Sequence, residues 1–235
     1  MPQNINITMN VKLLSYSKPY EPMEGVEDAQ DLIAYCARVS NPSNQTNKKT
    51  AEKLLHYLIK NKHWSPFEMV SACLEIETTR DIARQMLRHR SFSFQEFSQR
   101  YADPTQDLSF TVRECRLQDA KNRQNSIDIE NDPSIQLDAA KQELVIDWQR
   151  KQHGIINQAK EVYKWAIEQG IAKEQARSVL PEGNTISRLY VNGTLRSWIH
   201  FIEVRSDPST QKEHRLVAKA CQKALAPIFP VIMTL

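Results

Sequence analysis

The chain has 235 residues, 40% of them apolar and 25% charged, with a formal charge of +3 at pH 7. That balance excludes a disordered, collagen-like or fibrous protein, and the length suffices to bury a core without disulfide staples. No run approaches 18 apolar residues, the first ten residues hold neither a basic leader nor an apolar signal core, and Cys36, Cys73, Cys115 and Cys221 form no Cys-x-x-Cys pair. A reduced, cytoplasmic protein with no membrane span and no metal centre is therefore expected.

Apolar residues alternate from Ile5 through Ile7, Met9 and Val11 to Leu13, the period of a half-buried strand. Helical spacing follows over 27–39 and 48–62, with an Asn-Pro-Ser-Asn break between them. Val70, Ala72, Leu74 and Ile76 alternate with Ser71, Cys73, Glu75 and Glu77, which predicts a second strand. Residues 80–90 return to helical period, with Ile82, Ala83, Met86 and Leu87 on the inner face. Residues 119–134 are polar and read as a surface loop, after which Asp132-Pro133 caps a long helix that reaches Gly170 and bends near Gly154. A short helix over 172–180, a strand over 186–191 and a helix over 194–205 follow. Asp207-Pro208 caps a last helix to about Leu225. Strands interspersed with unequal helices predict one α+β domain over 1–235, with a small mixed or antiparallel sheet flanked by helices.

Only five glycines occur (Gly25, Gly154, Gly170, Gly183 and Gly193), so neither the dinucleotide fingerprint nor the glycine-rich phosphate loop is present. A nucleotide would have to be held by arginines, hydroxyls and helix N-termini. The segment 84–101 has that chemistry: Arg84, Arg88, Arg90 and Arg100 with Ser93 and Ser98 supply forked guanidiniums and hydroxyls. The plainer reading is a solvated helix end whose cations suit the helix dipole. A third is a nucleic-acid platform, since Phe92, Phe94, Phe97 and Tyr101 interleave with the arginines, although a net charge of +3 with no long basic tract is a poor footprint for one.

The spacing decides among these. Arg88-His89-Arg90, seven residues, Ser98 and then Arg100 resembles the signature of the flavin-dependent thymidylate synthases. Ala37-Arg38-Val39-Ser40, His63-Trp64-Ser65-Pro66-Phe67-Glu68, Ala83-Arg84-Gln85, Ala176-Arg177 to Leu180-Pro181, and Arg196-Ser197 to Arg205-Ser206-Asp207 are similar to further blocks of that family. The resemblance implies reductive methylation of deoxyuridine monophosphate (dUMP) to thymidylate, with methylenetetrahydrofolate as one-carbon donor and NADPH as reductant through bound FAD. It also implies a homotetramer whose active sites are shared between chains, with small-molecule partners and neither nucleic acid nor membrane.

Carried over residue by residue, the resemblance places Gln85, Met86, Leu87, Arg88, Glu96, Phe97, Ser98, Gln99, Arg100, Arg177 and Arg205 around dUMP. Ser40, Ser65, Glu68, Arg88, His89, Arg90, Glu96, Thr194, Leu195, Arg196 and His200 are implied around FAD. Arg205 is implied as the catalytic residue that promotes ionisation of the uracil imide; a guanidinium can stabilise that anion without acting as acid or base. Ser98 is expected to position the nucleotide and not to attack it, because its arginine neighbours cannot take its proton. The chain departs from the family pattern at Met69 and at Pro208-Ser209-Thr210, where histidines are common, and at Asn192-Gly193-Thr194 in the cofactor loop. These changes admit the alternative of a flavin protein that no longer transfers the methyl group.

Overall fold

The structure, a computed structural model, describes residues 9–235. β1 (Asn10–Tyr16) leads through α1 (Ala29–Ala37) and α2 (Ala51–Lys60) to β2 (Ser71–Thr79), which runs directly into α3 (Arg80–Met86) and β3 (Ser93–Glu96). The short helix α4 (Pro104–Asp107) and the ribbon of β4 (Arg116–Gln118) and β5 (Ser126–Asp128) precede the long helix α5 (Ala139–Glu168). The chain closes with α6 (Lys173–Ala176), β6 (Ile186–Thr194), α7 (Leu195–Ser206) and α8 (Lys212–Leu225). The main sheet has the order β1-β2-β6-β3 and is antiparallel throughout, and β4 and β5 pair separately.

Alternation along β2 sets the two faces of the sheet. Ala72, Leu74 and Ile76 are buried against the helices, while Glu77 on the opposite face pairs with Arg188 of β6 at 2.6 Å. Ile33, Leu55, Trp198, Phe201, Cys221 and Phe229 complete the helical side, each burial contributing roughly 1.5–3 kcal/mol. Trp198 keeps its indole N–H satisfied by donating to the Ala72 carbonyl at 3.0 Å. The Phe92 ring is wedged between Trp198 and Phe201, with centroids 4.5 and 5.8 Å away, and so is core and not part of an exposed stacking platform. It approaches β6 so closely that a Cβ on Gly193 would lie 2.3 Å from its Cδ1, which explains the glycine there.

Helix α5 is built differently. Ala159, Tyr163 and Ala166 pack on Ala176 and Leu180 as a small separate cluster, whereas Leu144, Ile146, Trp148, Ile155, Val162 and Trp165 remain exposed. The helix is continuous through Gly154.

Several boundaries differ from expectation for local reasons. Ile5 and Ile7 of the expected first strand lie outside the described residues; β1 itself continues past Leu13 to Tyr16, because a register shift between Leu13 and Ser15 breaks the alternation without ending the pairing. The helix expected over 80–90 stops at Met86, since Ser93–Glu96 is drawn into the sheet by pairing with β6. β4 and β5 flank a turn inside the stretch read as a loop, and Asp119 organises that turn by accepting from Lys121 N at 2.7 Å and Asn125 Nδ2 at 2.9 Å. Asp132 closes a local turn with Ser134, so Asp138 caps α5 instead, accepting from Lys141 N at 2.9 Å. Asp207 likewise turns back on Ser209, and the last helix starts beyond Gln211. Thr194 ends β6 and caps α7, extending the strand expected to finish at 191.

Candidate active site

Two cavities and a polar core between helices gather most of the candidate residues. The first cavity, about 440 Å³, opens where β6 turns into α7 and is lined by Trp64, Glu68, Ser91, Thr194, Arg196 and His200, among others. The Ser65-Pro66-Phe67-Glu68 turn brings Glu68 across the sheet end, where Arg196 donates to it at 2.6 Å and the Thr194 hydroxyl at 2.8 Å. The Arg196 hydrogen bond, helped by that of Thr194, holds the Glu68 carboxyl below its ordinary range against the opposing effect of burial. Guanidinium, hydroxyl, imidazole and indole donors around one concave surface suit a ligand that carries phosphates and a heteroaromatic ring. A dinucleotide cofactor fits this donor set.

The second cavity, about 350 Å³, is lined by Arg80, Arg84, Gln99, Arg177, Ser178, Leu180 and Glu182. Arg80 is 6% exposed and pairs with Glu96 at 3.3 Å, and Ser187 donates to the same carboxylate oxygen at 2.8 Å. Burial lowers the Arg80 pKa while Glu96 pulls it back up, so the group stays a cation. Arg84 reaches Glu182 at 3.3 Å. Gln99 is 3% exposed, and its Nε2 has no acceptor among the described residues. The adjoining Ser98–Tyr101 turn is tied to α6 by Arg100 to Glu174 at 3.3 Å and by Lys173 to the Tyr101 carbonyl at 2.9 Å. Three guanidiniums, two of them facing carboxylates, and an unpartnered buried amide donor are a donor set that suits an anion.

Between these lies the contact that joins two distant motifs. Arg205 Nε donates to His89 Nε2 at 2.8 Å, and the His89 ring stands edge-on to Phe201 with centroids 5.0 Å apart. A guanidinium can only donate, so His89 accepts at Nε2 and is neutral with its proton on Nδ1. Burial first, then the Arg205 charge, pushes its pKa down to about 4. The His200 ring, on the rim of the first cavity, lies 6.4 Å from that of His89.

The expected site residues are thus brought together in part. Glu68, Thr194, Arg196 and His200 converge, as do Gln99 and Arg177, and His89 meets Arg205. Glu96 stands behind Arg80, facing the second cavity's wall. Gln85 lies under α8, where it bonds Gln211 and His214. Ser40 lines a different cavity with Arg38, Asn44, Lys53 and Tyr57, and Ser65 is exposed at the start of its turn. Arg88 and Arg90 are exposed. Met86 and Leu195 are buried core residues, which leaves only their backbone for a ligand. The sequence reading missed Arg80, Glu182, Gln211 and His214. Arg80 and Arg84 share a face of α3 at i and i+4, a signal the spacing did carry.

Comparison with known proteins agrees with this geometry. Residues 23–231 match the family model described as thymidylate synthase complementing protein. The chain is 47% identical over 226 residues to a probable flavin-dependent thymidylate synthase of Paramecium bursaria Chlorella virus 1, covering 95% of this chain and 97% of the relative. It is 46% identical, with the same coverage, to the flavin-dependent thymidylate synthase of Synechocystis. Among solved structures, the UMP/dUMP methylase PolB of Streptomyces cacaoi bound with 5-Br dUMP superimposes with a TM-score of 0.73 at 25% identity, covering 96% of this chain and 93% of that one. The fold, the clustered motifs and these relatives together establish that the chain belongs to the flavin-dependent thymidylate synthases, the family of thymidylate synthase complementing proteins.

Proposed function

We propose that the protein converts dUMP to thymidylate by reductive methylation, with methylenetetrahydrofolate as one-carbon donor and NADPH as reductant, in one catalytic domain spanning 1–235 that works in the cytoplasm. The observation that carries the nucleotide assignment is the second cavity, where Arg80, Arg84, Arg177 and the unpartnered amide of Gln99 converge. A phosphate dianion would supply the acceptor that Gln99 Nε2 lacks and further acceptors for guanidiniums that already face Glu96 and Glu182, and Ser98 and Arg100 on the adjoining turn extend the set.

In this reading Arg205 faces the pyrimidine. Its charge stabilises the uracil imide anion, which makes the ring carbon that receives the one-carbon unit more nucleophilic. His89, accepting from Arg205, fixes the direction of the guanidinium and presents its Nδ1–H away from it. The first cavity suits FAD: Arg196, Thr194 and His200 are the groups of its lining that would hold it, while Ser65, Arg88 and Arg90 are exposed outside that lining and would complete the site across a chain boundary. Bound FAD would supply the hydride chemistry that couples NADPH oxidation to reduction of the transferred methylene unit to methyl.

A homotetramer with shared active sites follows from the same reading. It accounts for Ile146, Ile155 and Trp165 standing exposed along α5, and for Ser40, Arg88 and Arg90 lying apart from the cavities of their own chain. The test is a spectrum followed by an assay. The purified protein should carry a flavin band that bleaches under anaerobic NADPH, and should form thymidylate when dUMP and methylenetetrahydrofolate are added. Bleaching without thymidylate would mean a flavin protein that has lost methyl transfer.

A further inference from the structure

Glu182 supplies the lining carboxylate of the second cavity, and its hold on the guanidiniums there is loose. Its Oε1 lies 3.3 Å from Arg84 and 3.8 Å from Arg80, longer than the ~2.7–2.9 Å of a strong charged pair. Arg84 and Glu182 are both half exposed, so water competes for each of them. Glu96 is the contrast: it sits largely buried behind Arg80 and is tied in place by the Ser187 hydroxyl at 2.8 Å.

The backbone that carries Glu182 is pinned where its side chain is not. The Pro181 carbonyl accepts from Asn184 N at 3.1 Å and Thr185 N at 2.9 Å, and the Gly183 carbonyl accepts from Arg113 Nε at 3.0 Å. A change of rotamer therefore suffices to take the carboxylate off Arg84. Glu182 is also an incomplete occupant of the cavity, since it leaves the buried Gln99 Nε2 without an acceptor. With Glu96 set against Arg80, the lining keeps the charges of Arg84 and Arg177, and Glu182 answers only the first of these. A terminal phosphate monoester carries about two negative charges at neutral pH and offers several acceptor oxygens, so it answers both guanidiniums and the amide.

We propose that Glu182 is an internal competitor for the phosphate: its carboxylate clasps Arg84 and Arg80 in the free protein and swings out when a phosphate monoester enters, so that it lowers the affinity of the site for its own substrate. The inference rests on the nucleotide reading above, which places the dUMP phosphate in this cavity. A residue that only braces a site weakens binding when it is removed, whereas a competitor strengthens it. The sign of one substitution therefore separates the two roles.

The test titrates dUMP into the flavin-loaded wild type, Glu182→Gln and Glu182→Ala. Both variants should bind dUMP about three- to fivefold tighter than the wild type, the scale of one half-exposed ion pair, and the gain should fade as salt rises from about 0.01 M to about 1 M. Inorganic phosphate, competed against dUMP, should gain by a similar factor, because the effect lies at the anion and not at the base. Arg84→Ala should cost more dUMP affinity in the Glu182→Gln background than in the wild type, where it also removes the contact that the phosphate has to break. Unchanged or weaker dUMP binding by both Glu182 variants would make the residue a brace and overturn the proposal. A crystal structure of the wild type with dUMP gives a readout independent of any variant: the carboxylate should stand away from Arg84, and a retained pair would likewise overturn the proposal. Failure of the wild type to bind dUMP, or full binding by Arg177→Ala, would overturn the nucleotide reading itself and this proposal with it. Loss of the expected gain while Arg177→Ala still impairs binding would overturn this proposal alone.

Discussion

The two cavities share signature residues but have opposite electrostatic plans. Beside α7, Glu68 pairs with Arg196 and receives Thr194 as well, and Glu203 adds a second carboxylate to the lining. Beside α6, Arg80, Arg84 and Arg177 line a surface whose only lining carboxylate is Glu182, with Glu96 behind Arg80. A paired site holds its shape without a ligand, whereas a third guanidinium beside two carboxylates and an orphaned buried amide would suit an anion.

The sharpest way to break the contrast is to separate filling the cavities from doing chemistry. Arg205→Ala should lower thymidylate formation by about 10³-fold while flavin absorbance and dUMP binding persist, as expected for loss of a group that stabilises charge in the transition state. Turnover near the wild-type rate would remove its role. Arg177→Ala comes next, with dUMP affinity falling by about 10–100-fold in titrations and the flavin spectrum unchanged; simultaneous flavin loss would show that the cavities are one. Arg196→Ala should do the reverse, weakening flavin retention about tenfold and leaving dUMP binding to the flavin-saturated enzyme intact.

Smaller effects refine the picture. Ser98→Ala should raise the KM for dUMP about fivefold and leave kcat measurable, while total loss at saturating dUMP would mark the hydroxyl as a nucleophile. The smallest effect concerns pH. The Glu68 carboxyl is held below its ordinary value of 4.5, so the stability that the Arg196 pair contributes is fully present above that value and is lost as pH falls through the lowered pKa. Because both partners are partly exposed, flavin retention should decline only modestly in acid. Retention that is flat well below the ordinary carboxylate pKa would show that the pair does not maintain the cavity.

Much of this was legible in the chain itself. β2 announced both its faces, because Ala72, Leu74 and Ile76 alternate with Ser71, Cys73, Glu75 and Glu77 without interruption. β3 was hidden inside a run dominated by arginine and phenylalanine, and its pairing with β6 is a long-range choice that local spacing does not encode. The two misplaced helix starts share one cause: Asp132 and Asp207 are good caps that instead close turns onto Ser134 and Ser209. In the site, the spacing around Arg88 named the segment that carries His89 and Gln99 but not the side chains these residues meet. Arg80 belongs to the second cavity only because β2 runs without a break into α3, and His214 meets Gln85 only because α8 folds back over α3.

The contact between Phe92 and Gly193 constrains how this sequence can change. Any substitution of glycine by another residue introduces a Cβ, and at 193 that atom falls onto a ring braced by Trp198 and Phe201. Position 193 therefore has no neutral neighbour in sequence space while phenylalanine occupies 92. The ring must shrink first and leave a void beside Trp198, so the two positions form one evolutionary unit, with drift where β6 turns into α7 gated by a residue between α3 and β3.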